Sequence, residues 1–384
     1  MNYFKGWRCT TCGEDYALDE VRYLCPKCSK GYKPGIPLTG VLESRFDCLA
    51  IGYEWEQKPD FSLFDSLERR FYPPLPVGNT PFFQASRLGA ELCLPNLYIK
   101  NDGLNPSGSL KDRASELVVA DANRLGIKEI VCASTGNAAS SLACLCAAMG
   151  KKALIFAPQQ APQAKLVQIR VHGAELHLVD GTYDDAFAAA LEYSAHNDCL
   201  NRNTAYNPFT IEGKKTSGLE IWQQLGSVPD WIVVPVGDGV ILTGVHKAFY
   251  DLLSCGIIEY LPKLLAVQAE SSDAITSYWE TGEYRDAVSP KTVADSISVK
   301  APSNAHWAVV ALRESEGKAI RVHDDAILRD QKELARKTGV FAEPSAAATL
   351  SGLLGAIDNG WIEDDDKVVL LVSGHGLKDI DAIR

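Results

Sequence analysis

No stretch of the 384-residue chain approaches the roughly 18 uninterrupted apolar residues that a membrane-spanning helix requires. The amino-terminal MNYFKGWRCTTCGEDY has no apolar core of signal-peptide length either, so a cytoplasmic protein is expected. Basic residues are in deficit: 38 Lys+Arg stand against 49 Asp+Glu, a formal net charge of −11. That balance repels phosphate polymers and anionic lipid surfaces. It excludes broad, unassisted binding to nucleic acid or membrane and leaves room for a local basic pocket that takes a small anion. Internal repeats and low-complexity tracts are absent, and a hydrophobic content of 46% excludes disorder as the dominant state. At about 100 to 200 residues per domain, the length predicts two or three domains.

Cysteine is not scarce. Seven of the eleven (Cys48, Cys93, Cys132, Cys144, Cys146, Cys199 and Cys255) are scattered through apolar or helical contexts and read as small buried hydrophobes rather than a disulfide framework. The other four, Cys9, Cys12, Cys25 and Cys28, are spaced C-x2-C-x12-C-x2-C. Two knuckles of this kind bring four thiolates into the tetrahedron that Zn²⁺ prefers, which predicts a structural zinc ribbon over residues 1–34. Gly13 and Pro26 supply turn chemistry, and the intervening ALDEVRYL is expected to form a short hairpin. A thioredoxin-like context for redox CxxC pairs is missing. Six Lys/Arg against four Asp/Glu in residues 1–34, a balance of +2, gives little support to a nucleic-acid ribbon.

Residues 35–72 are rich in aromatic and turn residues and show no long period, as expected of a linker with short strands wrapping onto the main body. From residue 73 onward short β-branched runs alternate with longer helical stretches. Strands are predicted at 97–100, 129–133, 153–157, 175–179, 231–236, 264–268 and 368–372. Helical periodicity fills 138–149, 165–171, 183–195 and 244–253. The alternation indicates an α/β fold with largely parallel sheets.

In open α/β sheets, ligands bind where loops leave the carboxyl ends of strands. Four such loops carry chemistry. Ser134-Thr135-Gly136-Asn137 offers hydroxyls and helix-start N–H groups suited to a carboxylate or phenolate oxygen, although simple helix capping by Ser134 or Thr135 explains it better in isolation. Gly237-Asp238-Gly239-Val240-Ile241 lacks the third glycine of the dinucleotide fingerprint and the Lys-Ser/Thr of a P-loop. It suits one phosphate monoester, with Asp238 turned away or capping the helix. Lys111 lies in NPSGSLKDR, where a solvated charge cluster is the ordinary reading. Ser373 and His375 lie in VSGHGLKD, and His375 reads equally as a turn residue.

NPSGSLKDR, ASTGN, NPFTIEGKKT, FAEPSAAA and SGHGLKD occur in that order, and with them the chain resembles the pyridoxal-phosphate enzymes of fold type II, most closely the threonine synthases. The similarity runs from about Leu75 to Asp379, and a four-cysteine amino-terminal ribbon resembles that of some of these enzymes. The resemblance implies two open α/β domains: a larger one from residues 73–111 and 216–384, and a smaller mobile one from 112–215, with the cofactor in the cleft between them. It implies that Lys111 carries pyridoxal phosphate and moves protons at Cα and Cβ of the substrate. It places Asn137 at the cofactor's 3′ oxygen, the backbone of Gly237 to Ile241 at its 5′-phosphate, Ser373 at the pyridine nitrogen, and Ser134, Thr135 and Gly136 at the substrate carboxylate. A neutral hydroxyl at that nitrogen leaves a shallower electron sink than an acid would, which favours elimination and replacement over transamination. A homodimer is compatible with the family, and no membrane or nucleic-acid partner is implied.

Three positions depart from the family pattern. GDGVI stands where GNAGN is common. Thr210 stands where an Arg often precedes the LEG of NPxxLEG, and Ala138 follows STGN where Thr is frequent. Donors and a cation that would grip a substrate phosphate are thereby lost, with Lys214 or Lys165 as candidates to compensate. Three readings stay open on the sequence: conversion of O-phosphohomoserine and water to threonine and phosphate; an amino-acid ammonia-lyase or β-replacement enzyme acting on serine, threonine or a relative; and a catalytically silent regulatory homologue.

Overall fold

The structure is a computed structural model and describes residues 3–161, 163–181 and 183–383. In chain order the described strands are β1 (Phe4–Cys9), β2 (Asp15–Tyr16), β3 (Leu42–Phe46), β4 (Phe82–Gln84), β5 (Leu97–Asn101), β6 (Glu129–Ala133), β7 (Lys152–Pro158), β8 (Glu175–Val179), β9 (Leu200–Asn201), β10 (Trp231–Pro235), β11 (Lys263–Ala269), β12 (Lys318–Val322) and β13 (Val368–Val372). The chain divides into two compact units. One combines Met1–Val77, Lys111–Lys214 and Ser254–Ile257; the other combines Gly78–Leu110, Lys215–Leu253 and Ile258–Arg384.

The second unit is built on a six-stranded sheet in the order β12-β11-β10-β13-β5-β4, parallel except for β4 at the edge. Its central strands, WIVVP and VVLLV, are buried at every residue, as both-faces-covered parallel strands require. Helix Pro344–Asp358 lies directly on this sheet because its residues are small. A Cβ added at Gly352 would stand 2.2 Å from Val267 Cγ2. The sequence expectation had this sheet's four inner strands to within a residue or two at each end and missed β4 and β12. The lysine and arginine of KAIRV hide β12, an edge strand that is only half buried.

The first unit holds a parallel sheet in the order β8-β7-β6-β9 and the three-stranded antiparallel sheet β2-β1-β3. Helix Lys111–Arg124 packs against helix Phe209–Leu225 so tightly that a Cβ at Gly213 would fall 2.1 Å from the Arg113 carbonyl oxygen. Two expectations fail in the amino-terminal region. ALDEVRYL forms turns rather than a hairpin, and the long partner of β1 is β3, beyond the expected ribbon boundary at residue 34. The residues after it form helix Cys48–Gln57, capped by Asp47 accepting from the Ala50 N–H at 3.2 Å, where a linker was expected. The long-range pairing wins because β1 buries Phe4, Trp7 and Cys9 on one side, and β3 supplies the matching Leu42, Ser44 and Phe46. Of the seven scattered cysteines five are buried, whereas Cys48 is half-buried and Cys93 exposed; all are free thiols. No helix among the described residues is long and apolar enough to cross a membrane.

Candidate active site and cysteine cluster

In the second unit the turn Gly237–Gly239 joins β10 to helix Val240–Ser254. The first N–H groups of that helix have no carbonyl of their own helix to bond, which makes its start a natural anion seat. The two glycines are dictated by space. A Cβ at Gly237 would stand 3.0 Å from Ile297 Cα, and one at Gly239, where φ is +85°, would stand 2.8 Å from Ala308 Cβ. The Asp238 carboxylate caps no part of this helix. It turns away and accepts from the N–H and hydroxyl of Ser303, both at 3.3 Å, so its charge is directed at the start of another helix. Val240 and Ile241 open the helix and are buried.

Ser373 sits at the carboxyl end of β13, and its carbonyl accepts from the Leu110 N–H at 2.9 Å. His375 N–H donates to the Gly108 carbonyl at 3.0 Å, and Ser109 pairs with Gly374 as an isolated antiparallel bridge. The loop that leads into Lys111 is therefore zipped to the Ser373 loop by its backbone. Gly374 lies against the Glu343 carboxylate, which a Cβ there would meet at 2.3 Å. His375 is a turn residue: its Nδ1 accepts from the Leu377 N–H at 3.1 Å. The Ser109 hydroxyl, fully buried with no hydrogen-bond partner among the described residues, is a polar group the sequence did not single out. Its position two residues before Lys111 was the available signal.

In the first unit Lys111 is the opening residue of its helix and is half-buried. Ser134, Thr135 and Gly136 are half-buried between β6 and helix Asn137–Ala148, and Asn137 is buried at the helix start. Capping by Ser134 or Thr135 is not what the loop does. Gly136 occupies the cap position with no side-chain cap bond, while the Ser134 hydroxyl accepts from the Gly136 N–H at 3.1 Å. Asn203 Oδ1 accepts from the Ala133 N–H at 2.8 Å and fixes the strand end that launches the loop.

The departures from the family pattern take definite form. Thr210 is fully buried; its hydroxyl donates to the Asn207 carbonyl at 2.8 Å and accepts from the Ala205 N–H at 3.1 Å, so it braces its own loop. Lys214 is buried with Nζ 3.3 Å from the Thr204 hydroxyl, and the Lys165 side chain lies outside the described residues. Arg202, which no sequence pattern marks, is also buried. Its Nε donates to the Ser115 hydroxyl at 3.1 Å, and Nη2 has no hydrogen-bond partner among the described residues. Burial pushes the Cys132 thiol up, opposed by the positive charges of Arg202 and Lys214, so both cations act on that region.

The ligand atoms of Cys9, Cys12, Cys25 and Cys28 all lie within 4.8 Å of one another. The N–H groups of Thr11 and Cys12 point at Cys9 Sγ at 3.4 and 3.5 Å, and the Tyr16 hydroxyl stands 3.1 Å from Cys25 Sγ. Gly40, at φ +75°, packs where a Cβ would stand 3.0 Å from Cys28 Cβ. Four sulfur donors from two knuckles are a set suited to a tetrahedral zinc ion.

The second unit carries a glycine cradle at a helix start and a serine at the end of a buried strand, and the first carries a lysine at a helix start, each unit being built on a parallel sheet. Residues 74–374 match the family model described as pyridoxal-phosphate dependent enzyme, and the chain belongs to that family. Within it, the chain is 35% identical to the threonine synthase of Methanocaldococcus jannaschii, over 98% of this chain and 93% of that protein. It is 36% identical to the threonine synthase of Methanosarcina acetivorans, over 97% and 92%. Among solved structures, the processed form of threonine deaminase isoform 2 from Solanum lycopersicum shares the fold, at 24% identity and TM-score 0.68, covering 78% of this chain and 81% of that one. The expected fold type II α/β architecture is thus what the chain has, and pyridoxal phosphate is its cofactor. The cradle a Cβ would fill and the buried hydroxyl of Ser109 are features that fit a bound phosphorylated cofactor.

Proposed function

We propose that this enzyme converts O-phosphohomoserine and water to threonine and phosphate. The observation that carries the reading is the match to threonine synthases over 97% or more of the chain, which includes the cysteine ribbon as well as the catalytic body. The neutral hydroxyl of Ser373 at the end of β13 supports it, because the reaction is an elimination followed by an addition.

When bound, pyridoxal phosphate supplies a conjugated electron sink for the amino acid's Cα. The helix-start amides after Gly239 would hold its phosphate, Asn137 would donate to its 3′ oxygen, and Ser373 would bond its pyridine nitrogen without placing a formal charge there. The half-buried Lys111 would carry the cofactor, and its neutral amine would take the proton from Cα of the substrate and move protons at Cβ. Ser134, Thr135 and Gly136 receive the substrate carboxylate through hydroxyl and N–H groups. With a proton removed from Cβ, the phosphate would leave Cγ with its bonding electrons and Cγ would take up one proton; water would then add its hydroxyl at Cβ, its other proton going to the phosphate released, and Cα would regain the proton it lost. The buried cations Arg202 and Lys214 supply the positive field that the leaving dianion needs, in the absence of an arginine at position 210. The four cysteines hold a structural Zn²⁺, and the protein works in the cytoplasm on small amino-acid substrates.

One observation favours a second reading. Thr210 is locked into its loop and both Ala138 and Ile241 are apolar, so the charge-assisted grip on a substrate phosphate is reduced. An ammonia-lyase acting on serine or threonine needs no such grip. Holoenzyme incubated separately with O-phosphohomoserine, L-threonine and L-serine decides the matter. Release of phosphate with threonine supports the synthase; faster release of ammonia with a keto acid from threonine or serine overturns it.

A further inference from the structure

We infer that the cysteine ribbon is a positioning device for residues 199–212, acting through Tyr23 and Trp7, and that metal binding at the ribbon sets the order of the loop that receives the substrate carboxylate.

Residues 199–212 have little regular structure with which to hold themselves. After the two residues of β9 the backbone runs irregularly to helix Phe209–Leu225, and Ala205 lies in the left-handed region at φ +58°, which a residue with a β-carbon adopts only under restraint. Part of the restraint is internal. Asn201 Oδ1 accepts from the Asn203 N–H at 2.7 Å, Asn207 Nδ2 donates to the Asn201 carbonyl at 2.8 Å, and Asn207 Oδ1 accepts from the Phe209 N–H at 3.0 Å. The rest comes from the ribbon. The Tyr23 ring stacks on Tyr206 with centroids 4.6 Å apart, and its hydroxyl accepts from the Asn201 N–H at 2.8 Å. Trp7, 1% exposed, meets Phe209 edge-on at 4.9 Å, and the Ser44 hydroxyl donates to the Glu212 carboxylate.

Both aromatic anchors are tied to the metal cluster by sequence. Trp7 is two residues before Cys9, and Tyr23 is two residues before Cys25, so closing the four sulfurs around an ion fixes the backbone that presents each ring. At its other end the segment reaches the substrate loop. Arg202 N–H donates to the Val131 carbonyl at 2.8 Å, and Asn203 Oδ1 accepts from the Ala133 N–H, one residue before Ser134. A continuous set of bonds and ring contacts thus runs from the cysteine cluster to the Ser134–Gly136 loop. Through it the ribbon affects binding of the amino acid, while the cofactor's phosphate seat in the other unit is left alone.

Tyr23→Phe keeps the ring and removes only the hydroxyl that accepts from Asn201. In full-length holoenzyme, amide hydrogen exchange at Asn201 is expected to speed up about five- to tenfold, the share of one lost hydrogen bond. KM for the amino acid that is turned over rises while kcat and the cofactor absorbance stay as in the parent, the signature of lost substrate positioning. Stripping zinc with a chelator speeds exchange across 199–212, added Zn²⁺ restores it, and peptides covering β10 and β13 do not change. Protein that gives up zinc yet keeps residues 199–212 slow overturns the inference while leaving the enzyme assignment intact. Equal acceleration in β10 and β13 also overturns it, since that marks general loosening. Tyr23→Phe protein whose Asn201 exchange and KM both match the parent removes Tyr23 from the account, and chelation that releases no metal removes the zinc.

Discussion

Gly239→Ala is the sharpest probe of the phosphate cradle. An alanine at φ +85° costs about 1–2 kcal/mol for the left-handed backbone, and its Cβ would stand 2.8 Å from Ala308 Cβ and 3.1 Å from Ile275 Cδ1. Overpacking of this kind costs about 1–3 kcal/mol, so the total is about 2–5 kcal/mol if the turn stays in place. The turn relieves that strain by shifting a few tenths of an ångström, which misaligns the helix-start amides. Losing one hydrogen bond to a charged phosphate is worth about 1.5–3 kcal/mol, or about ten- to a hundredfold in affinity. The assay is a titration of cofactor-free protein with pyridoxal phosphate and, in parallel, with pyridoxal lacking the phosphate. Affinity for the phosphorylated form should fall at least tenfold, while that for pyridoxal stays within about twofold. A variant that binds pyridoxal phosphate as tightly as the parent refutes the cradle, and an equal loss for both ligands points to general damage.

Three further outcomes follow from the geometry. Lys111→Ala should lose the absorbance band of lysine-bound cofactor and all turnover, whereas a variant that retains the band places the attachment elsewhere. Gly213→Ala, whose Cβ would sit 2.1 Å from the Arg113 carbonyl oxygen, should lower stability in urea by about 1–3 kcal/mol; an unchanged midpoint would show that the two helices can part freely. Burial raises Glu116 to about 8 against the opposing pull of Arg69 and Arg113. The folded protein therefore holds a proton that the unfolded chain releases above its ordinary value of 4.5, and stability falls as pH rises from there toward about 8, levelling beyond it. Glu116→Gln should flatten that part of the thermal-midpoint profile, and parallel profiles for parent and variant would contradict the assignment.

Buried parallel strands announce themselves in sequence because both faces are apolar, which is why VVLLV and EIVCA were legible to the residue. Two edge strands were not, since KAIRV and the short FFQ owe their state to a neighbour supplied by distant chain, whereas the edge strand ELHLV was legible from its alternating leucines. The ribbon shows the same limit. Its cysteines were legible from spacing, while its sheet depends on β3, which follows Cys28 by more than a dozen residues. For the site, the loops after strands were readable as candidates, yet their internal bonding was not. Thr210 was read as a missing cation, whereas its hydroxyl closes a loop around the left-handed Ala205. Arg202 escaped notice because a single arginine after a two-residue strand carries no pattern, and only burial shows that its guanidinium is unusual.

If this chain eliminates phosphate from Cγ and adds water at Cβ, the fate of solvent oxygen tests both halves at once. Holoenzyme turning over O-phosphohomoserine in ¹⁸O-labelled water should place one labelled oxygen in the hydroxyl of threonine and none in the phosphate released. Labelled phosphate would mean that water attacks phosphorus and that the protein is only a phosphatase toward this compound, and the absence of threonine would contradict the account outright.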